Sequence, residues 1–319
     1  MRIVVALGGN AILQRGEPLE CDVQRRNIQE AARSIARLAE HHQVVLNHGN
    51  GPQVGLLALM SEAYKDVKAY PLDALGAQTQ GLIGFMFEQE LRNAMPGREV
   101  CTLSTQTVVD PNDPAFENPS KYVGPIYREE MRAAVEAEHP DWVLRRDGNY
   151  WRRVVPSPKP IEILELASLR NLIDKTDATV ICGGGGGVPV TRGSDGVLHG
   201  VEAVIDKDRA SRLLAEGIYA DAFLILSDVK AVATDFGRPG SRDIHFATPD
   251  ALERFDFPPG SMGPKVEAVC QFVRQTGKIA AIGALNQAAE ILEGKAGTIV
   301  KPDVPNDLIY YEDVLPSVA

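Results

Sequence analysis

The sequence predicts an α/β fold built on a mainly parallel sheet with helices on both faces. Three observations predict it. Short apolar β-type runs recur along the 319 residues, most are followed by a stretch with helical apolar spacing, and several end in glycine-bearing loops. The first unit is Ile3 to Leu7, ended by Gly8-Gly9, then an amphipathic helix opening at Asp22 in which Ile28, Ala31, Ala32, Ile35, Leu38 and Ala39 share one face. Val44-Val45-Leu46 is the second strand, ended by His48-Gly49-Asn50-Gly51, and Pro52 suits the first position of a helix through Leu56, Leu57 and Met60. Further strands are read at Val100 to Leu103, Thr179 to Cys182, Ala222 to Leu226 and Ile279 to Ile282, with helices near 74–94, 161–175, 207–217 and 264–276.

Residues 110–160 break this rhythm. They hold Pro111, Pro114, Pro119, Pro125, Pro140, Pro156, Pro158 and Pro160, both tryptophans, and the hairpin-like run Arg145-Arg146-Asp147-Gly148-Asn149-Tyr150. Trp142, Tyr150 and Trp151 offer apolar area that a solvated loop would not need, so the region reads as an inserted subdomain projecting from the sheet.

Composition sets the outer limits. With 44% apolar and 24% charged residues, the chain can fill a large core or two closely joined lobes. The apolar run after Met1-Arg2 is too short for a signal-peptide core and no segment approaches a membrane span, so a cytoplasmic protein is expected. Cys21, Cys101, Cys182 and Cys270 form no CxxC pair and have no histidine cluster near them, which points to free thiols rather than a zinc site. A net charge of −10 argues against nucleic acid or an anionic membrane as partner. An anionic substrate then needs a local pocket of lysines.

The glycine and lysine patches supply one. Leu7-Gly8-Gly9-Asn10 and Asn50-Gly51-Pro52 end the first two strands, on the edge where open parallel sheets bind ligands and where helix N-termini favour anions. His48 at the end of the second strand has no evident Ser or Cys partner and reads as a hydrogen-bonded structural residue. Gly183 to Gly187, between two strand-like segments, reads as a held loop where a ligand touches the backbone; it is neither a Rossmann fingerprint nor a Walker loop. Asp206-Lys207-Asp208 stands at a predicted helix start, where a lysine is electrostatically disfavoured and therefore suggests a phosphate partner. Lys265, in Gly260-Ser261-Met262-Gly263-Pro264-Lys265, occupies the first turn of another helix, and Lys121 lies in the inserted region. Together these patches describe a site for two phosphorylated ligands, one that works by positioning and charge neutralisation rather than by a covalent intermediate.

Seven segments in order resemble the carbamate kinases of the amino acid kinase superfamily. They are Val4 to Ala11, His48 to Gly55, Pro71-Leu72-Asp73, Lys121 with Gly124-Pro125, Val155-Pro156-Ser157-Pro158, Glu202 to Asp208 and Gly260 to Lys265. The resemblance implies an αβα sandwich with a mainly parallel central sheet, the amino acid kinase fold. It implies an N-terminal lobe over 1–200 on the carbamoyl phosphate side, a protruding subdomain at about 112–156, and a C-terminal lobe over 201–319 on the nucleotide side. The implied reaction is reversible phosphoryl transfer between carbamoyl phosphate and ADP with Mg2+, in a homodimer. By the same resemblance Gly8, Gly9, Asn10, Asn50 and Gly51 line the phosphoryl and carbamoyl pocket, with Gly185 and Gly186 beside it. Lys207 and Lys265 neutralise the transferring group, Asp208 holds both lysines, and Lys121 comes from the subdomain. Asp206, Ser227, Asp228, Met262 and Lys265 fall on the nucleotide side. The segment Ser227-Asp228-Val229-Lys230 departs from the family pattern at Lys230, which leaves the adenine contacts open. Two other readings stay open at this level: a kinase for a larger acid such as acetylglutamate, and a non-enzymatic nucleotide sensor on the same fold.

Overall fold

The strand Arg2–Leu7 is the structural centre, because alternate side chains on it enter different cores. In the computed structural model, which describes residues 1–14, 16–258 and 260–314, Ile3, Val5 and Leu7 pack into one apolar cluster while Val4 and Ala6 pack into another. A strand buried on both faces requires cover on both, and the period-two alternation of the pleat delivers it. Helices Cys21–Ala39 and Leu72–Ala94 cover the first face through Ile28, Ile35, Ile83 and Phe87. Helices Leu166–Lys175, Lys207–Gly217 and Met262–Thr276 cover the second through Leu169, Leu214 and Phe272. The result is a three-layer αβα sandwich.

Among the described residues the central sheet has ten strands. Six run parallel, in the order Ile279–Ala284, Ala222–Ser227, Arg2–Leu7, Gln43–His48, Thr179–Cys182, Val100–Leu103. Beyond Ile279–Ala284 the sheet continues through Thr298–Val300, which is antiparallel to it, and Asp243–Ala247. A four-stranded sheet, ordered Leu198–Gly200, Val188–Arg192, Gln106–Val109, Pro160–Ile163, lies apart from it. Lys121–Tyr127, Tyr150–Val155 and Val143–Asp147 make a separate antiparallel sheet, with Gly148-Asn149 as the tight turn of its hairpin.

One predicted element is corrected. The helix expected over 161–175 is a strand, Pro160–Ile163, followed by helix Leu166–Lys175. The apolar residues at its start satisfy helical and strand spacing equally, and antiparallel pairing with Gln106–Val109 decides the matter. No helix among the described residues is long and apolar enough to cross a membrane.

Candidate active site

Three loops meet at the carboxyl edge of the parallel strands. Arg2–Leu7 is flanked by Gln43–His48 and Ala222–Ser227, so Gly8-Gly9-Asn10, Gly49-Asn50 and Ser227-Asp228 open on one edge. The Gly8 N–H donates to the Leu226 carbonyl at 2.8 Å, and the Gly49 N–H to the Leu7 carbonyl at 3.2 Å. A methyl on Gly49 would lie 3.4 Å from the Gly9 nitrogen and 3.7 Å from Cδ of Lys207, so the Lys207 stem runs past Gly49 where the two glycine loops meet. Asn10 is exposed, and a methyl on Gly9 would meet nothing within 4 Å. The Ser227 hydroxyl donates to Asp228 at 2.8 Å.

Lys207 opens helix Lys207–Gly217, at the end of the helix dipole that disfavours a cation. Carboxylates on either side offset this. Asp206 is the N-cap, its Oδ1 accepting the backbone N–H of Asp208 at 3.0 Å and of Arg209 at 3.2 Å, while Oδ2 accepts from Lys121 Nζ at 2.8 Å. Asp208, with 5% of its side chain exposed, forms ion pairs with Lys207 and, through Oδ2 at 2.8 Å, with Lys265. Lys265 arrives from the first turn of helix Met262–Thr276, which an Arg209–Glu267 pair at 2.7 Å ties to helix Lys207–Gly217. Met262 is half-buried against the apolar cluster beneath.

The charge states follow from this packing. Burial pushes the Asp208 carboxyl up, but Lys207 and Lys265 outweigh it and hold the group well below the usual carboxylate range. Burial likewise opposes ionisation of Asp206, and Lys121 reverses the balance, leaving it below the ordinary value. The Lys207 ammonium is lowered, first by burial and then by Lys265, with Asp208 pulling the other way. Three lysines against two aspartates leave one positive charge in excess.

A second helix begins on the same edge in a different manner. Helix Gly51–Ala63 has Asn50 at its N-cap without a side-chain cap. The Asn50 amide is instead turned inward, donating to Thr79 Oγ1 at 2.8 Å. A methyl on Gly51 would meet nothing within 4 Å, so this helix end is open.

The run Gly183 to Gly187 is buried throughout. Gly185 has φ +65, and a methyl there would lie 2.1 Å from the Asn50 amide; a methyl on Gly184 would lie 2.5 Å from the His48 ring. The run therefore lets the ends of Gln43–His48 and its following loop press flat on the backbone, rather than extending freely. Gly183 adds to this packing: its carbonyl accepts from Asn47 at 2.7 Å and its N–H donates to Thr105 Oγ1 at 3.0 Å. His48 is buried, with Nδ1 3.0 Å from the Gly49 carbonyl, and burial pushes it down to about 4, so it is neutral at pH 7. All four cysteines are free, and burial pushes the Cys182 and Cys270 thiols up to about 12, which leaves them unreactive.

The pairing of Lys121 with Asp206 was not legible in the sequence, since 85 residues separate them. Neither was the support from helix Leu72–Ala94. Glu202 accepts the Leu72 N–H at 3.0 Å at the start of that helix, and Gln80 exchanges two hydrogen bonds of 3.0 Å with the backbone of Thr105. Pro71-Leu72-Asp73 and Glu202 belong to segments that carry the family resemblance, but no periodicity joins them.

An open sheet with clustered lysines and helix N-termini at its carboxyl edge defines a phosphotransferase of the αβα class. The amino acid kinase family model matches residues 1–282, and the chain belongs to that family. Within it, the relatives are consistent. The carbamate kinase of Rhizobium meliloti is 51% identical over 98% of this chain and 97% of its own, and that of Escherichia coli K12 is 51% identical over 93% and 98%. The structure of the carbamate kinase from Giardia lamblia bound to AMP-PNP superposes with a TM-score of 0.87 at 41% identity, covering 95% of this chain and 98% of that one. The chain is a kinase of the carbamate kinase branch.

Proposed function

We propose that the chain catalyses reversible phosphoryl transfer between carbamoyl phosphate and ADP, giving ATP and carbamate, which breaks down to ammonia and CO2. The observation that carries this reading is the convergence of Lys207 and Lys265 on the buried Asp208 beside two glycine loops. Carbamoyl phosphate is a mixed anhydride with a good leaving group, so its transfer needs charge neutralisation and in-line positioning more than a base. An incoming phosphoryl group would draw Lys207 and Lys265 toward its equatorial oxygens while Asp208 fixes the spacing between them. Gly8, Gly9, Asn10, Asn50 and Gly51 would hold the phosphoryl and carbamoyl groups, with Gly185 and Gly186 setting the floor through Asn50 and Ile205. Lys121 would close on the substrate from the subdomain at about 112–156. The nucleotide would lie over Asp206, Ser227, Asp228, Met262 and Lys265, so that residues 1–200 serve carbamoyl phosphate and 201–319 serve ADP.

Mg2+ would enter with the nucleotide. Among the described residues no group of three or more His, Cys, Asp and Glu side chains could hold a metal ion, and Asp206 and Asp208 are engaged by lysines. That donor set suits an ion carried on phosphates and water, whose bound role is to offset phosphate charge. Exposed Leu82 and Phe85, one turn apart on helix Leu72–Ala94, favour a homodimer. We place the reaction in the cytoplasm, in ATP-generating breakdown of arginine or related nitrogen compounds.

A coupled assay of ATP formation from carbamoyl phosphate, ADP and Mg2+ tests the reading. Lys207→Ala is expected to lose about a hundredfold or more in turnover. Near-normal turnover in that variant would remove Lys207 from the mechanism, and phosphorylation of acetylglutamate instead would redirect the substrate assignment.

A further inference from the structure

The subdomain strand that carries Lys121 touches the rest of the chain at one unusually close point. Strand Lys121–Tyr127 bulges between Val123 and Ile126, with Gly124 at φ +68, and the bulge rests on Gly55 of helix Gly51–Ala63. A methyl on Gly55 would lie 2.8 Å from the Gly124 Cα and 3.0 Å from its nitrogen, so two backbones are in direct contact there. Alanine is the better helix former, and helix propensity gives no reason for a glycine at this position. The chain neighbours of the two glycines, Val54 and Val123, belong to one buried apolar cluster with Leu72 and Val155. From the other side the Gly124 carbonyl accepts from Arg152 Nε at 2.9 Å, which anchors the bulge within its own sheet.

We propose that the Gly55–Gly124 contact is the positioning device for Lys121. Helix Gly51–Ala63 begins at the Asn50-Gly51 loop, so a single rigid helix links that loop to the bulge three residues beyond Lys121. The distance from the phosphate-side loop to the Lys121 ammonium is thereby set by backbone packing. Any side chain at position 55 lifts the strand and carries Lys121 away from Asp206 and from a substrate held at the edge of the sheet. Gly55 touches no reacting atom; it acts through Lys121. This inference rests on the role proposed above for Lys121.

The test is a double-substitution cycle. Gly55→Ala is expected to lower kcat/KM for carbamoyl phosphate about tenfold, as a misplacement of the order of 1 Å can, with KM for ADP changed by less than about twofold. In a Lys121→Ala background the same substitution is expected to cost less than about twofold, because the group it misplaces is already gone. Amide exchange over 121–127 should quicken in Gly55→Ala, while exchange over 207–217 stays as in the parent. Additive losses, or equal losses toward both substrates, overturn the proposal while leaving Lys121 in place. Full activity of Lys121→Ala overturns the role of Lys121 and this inference with it. Should Gly55→Ala not fold, Gly124→Ala strains the bulge itself through its left-handed backbone, without entering the contact. Its methyl meets nothing within 4 Å, so the strain is confined to the left-handed turn, and the same non-additivity with Lys121→Ala is expected.

Discussion

Two helices start on the same edge of the sheet, and they finish their N-termini in opposite ways. Helix Lys207–Gly217 is closed: Asp206 caps its amides, and Lys121, Lys207 and Lys265 gather on the two aspartates. Helix Gly51–Ala63 is open, because the Asn50 amide turns down to Thr79 and nothing stands over Gly51. One end concentrates charged side chains that are already paired, and the other leaves bare backbone. A site for an anion needs both: mobile countercharge that can trade partners, and donors that lose no side-chain freedom on binding.

The contrast can be broken most forcefully at Asp208. Asp208→Ala leaves the half-buried ammonium groups of Lys207 and Lys265 without the carboxylate they share, and a loss of about 3 kcal/mol in urea unfolding is expected; a loss under about 1 kcal/mol would mean that the lysines relax into water and that the cluster is not a packed unit. Gly185→Ala attacks the open helix from beneath. A left-handed alanine driven into the Asn50 amide should lower stability by about 3 kcal/mol, and retention of the parent Tm would show that the glycine loop yields. His48, lowered by burial to about 4, makes a pH-dependent contribution. The unfolded chain binds a proton near pH 6.5 and the folded one only near 4, so this stability is fully present above pH 6.5 and is lost as pH falls toward 4. The span is about 3 kcal/mol, and the stability difference between parent and His48→Gln should shrink by about that amount over this range; a difference independent of pH would discard the buried neutral imidazole. The smallest effect is expected at Gly51→Ala, which should shift stability by less than about 0.5 kcal/mol yet raise KM for carbamoyl phosphate severalfold. An unchanged KM would leave the open helix end without a ligand.

The sequence made the closed helix end far more legible than the open one. Asp206-Lys207-Asp208 carries its own anomaly, a cation where a dipole opposes it, and flanking apolar residues locate the helix start to the residue. Lys121 was visible as a residue but not as the partner of Asp206, 85 positions away, whereas the Lys265–Asp208 pair, 57 positions apart, came from the family resemblance and not from any local pattern. The glycine run shows the limit more plainly. Its composition suggested a backbone open to a ligand, whereas the structure buries it under Asn47, His48 and Asn50, side chains whose direction no local pattern encodes. The strand at Pro160–Ile163 was hidden for the same reason: its partner decides it, and that partner, Gln106–Val109, lies far upstream.

The order of strands also governs how this chain can be made. Arg2–Leu7 finds its first neighbour, Gln43–His48, early in synthesis, but the partner for its other edge is Ala222–Ser227. Until that segment leaves the ribosome, a strand destined for burial on both faces offers an unpaired ladder to any other nascent chain. A translational pause before residue 222 is therefore where this protein is most exposed to misassembly, and early truncation products are expected to aggregate rather than persist as folded halves.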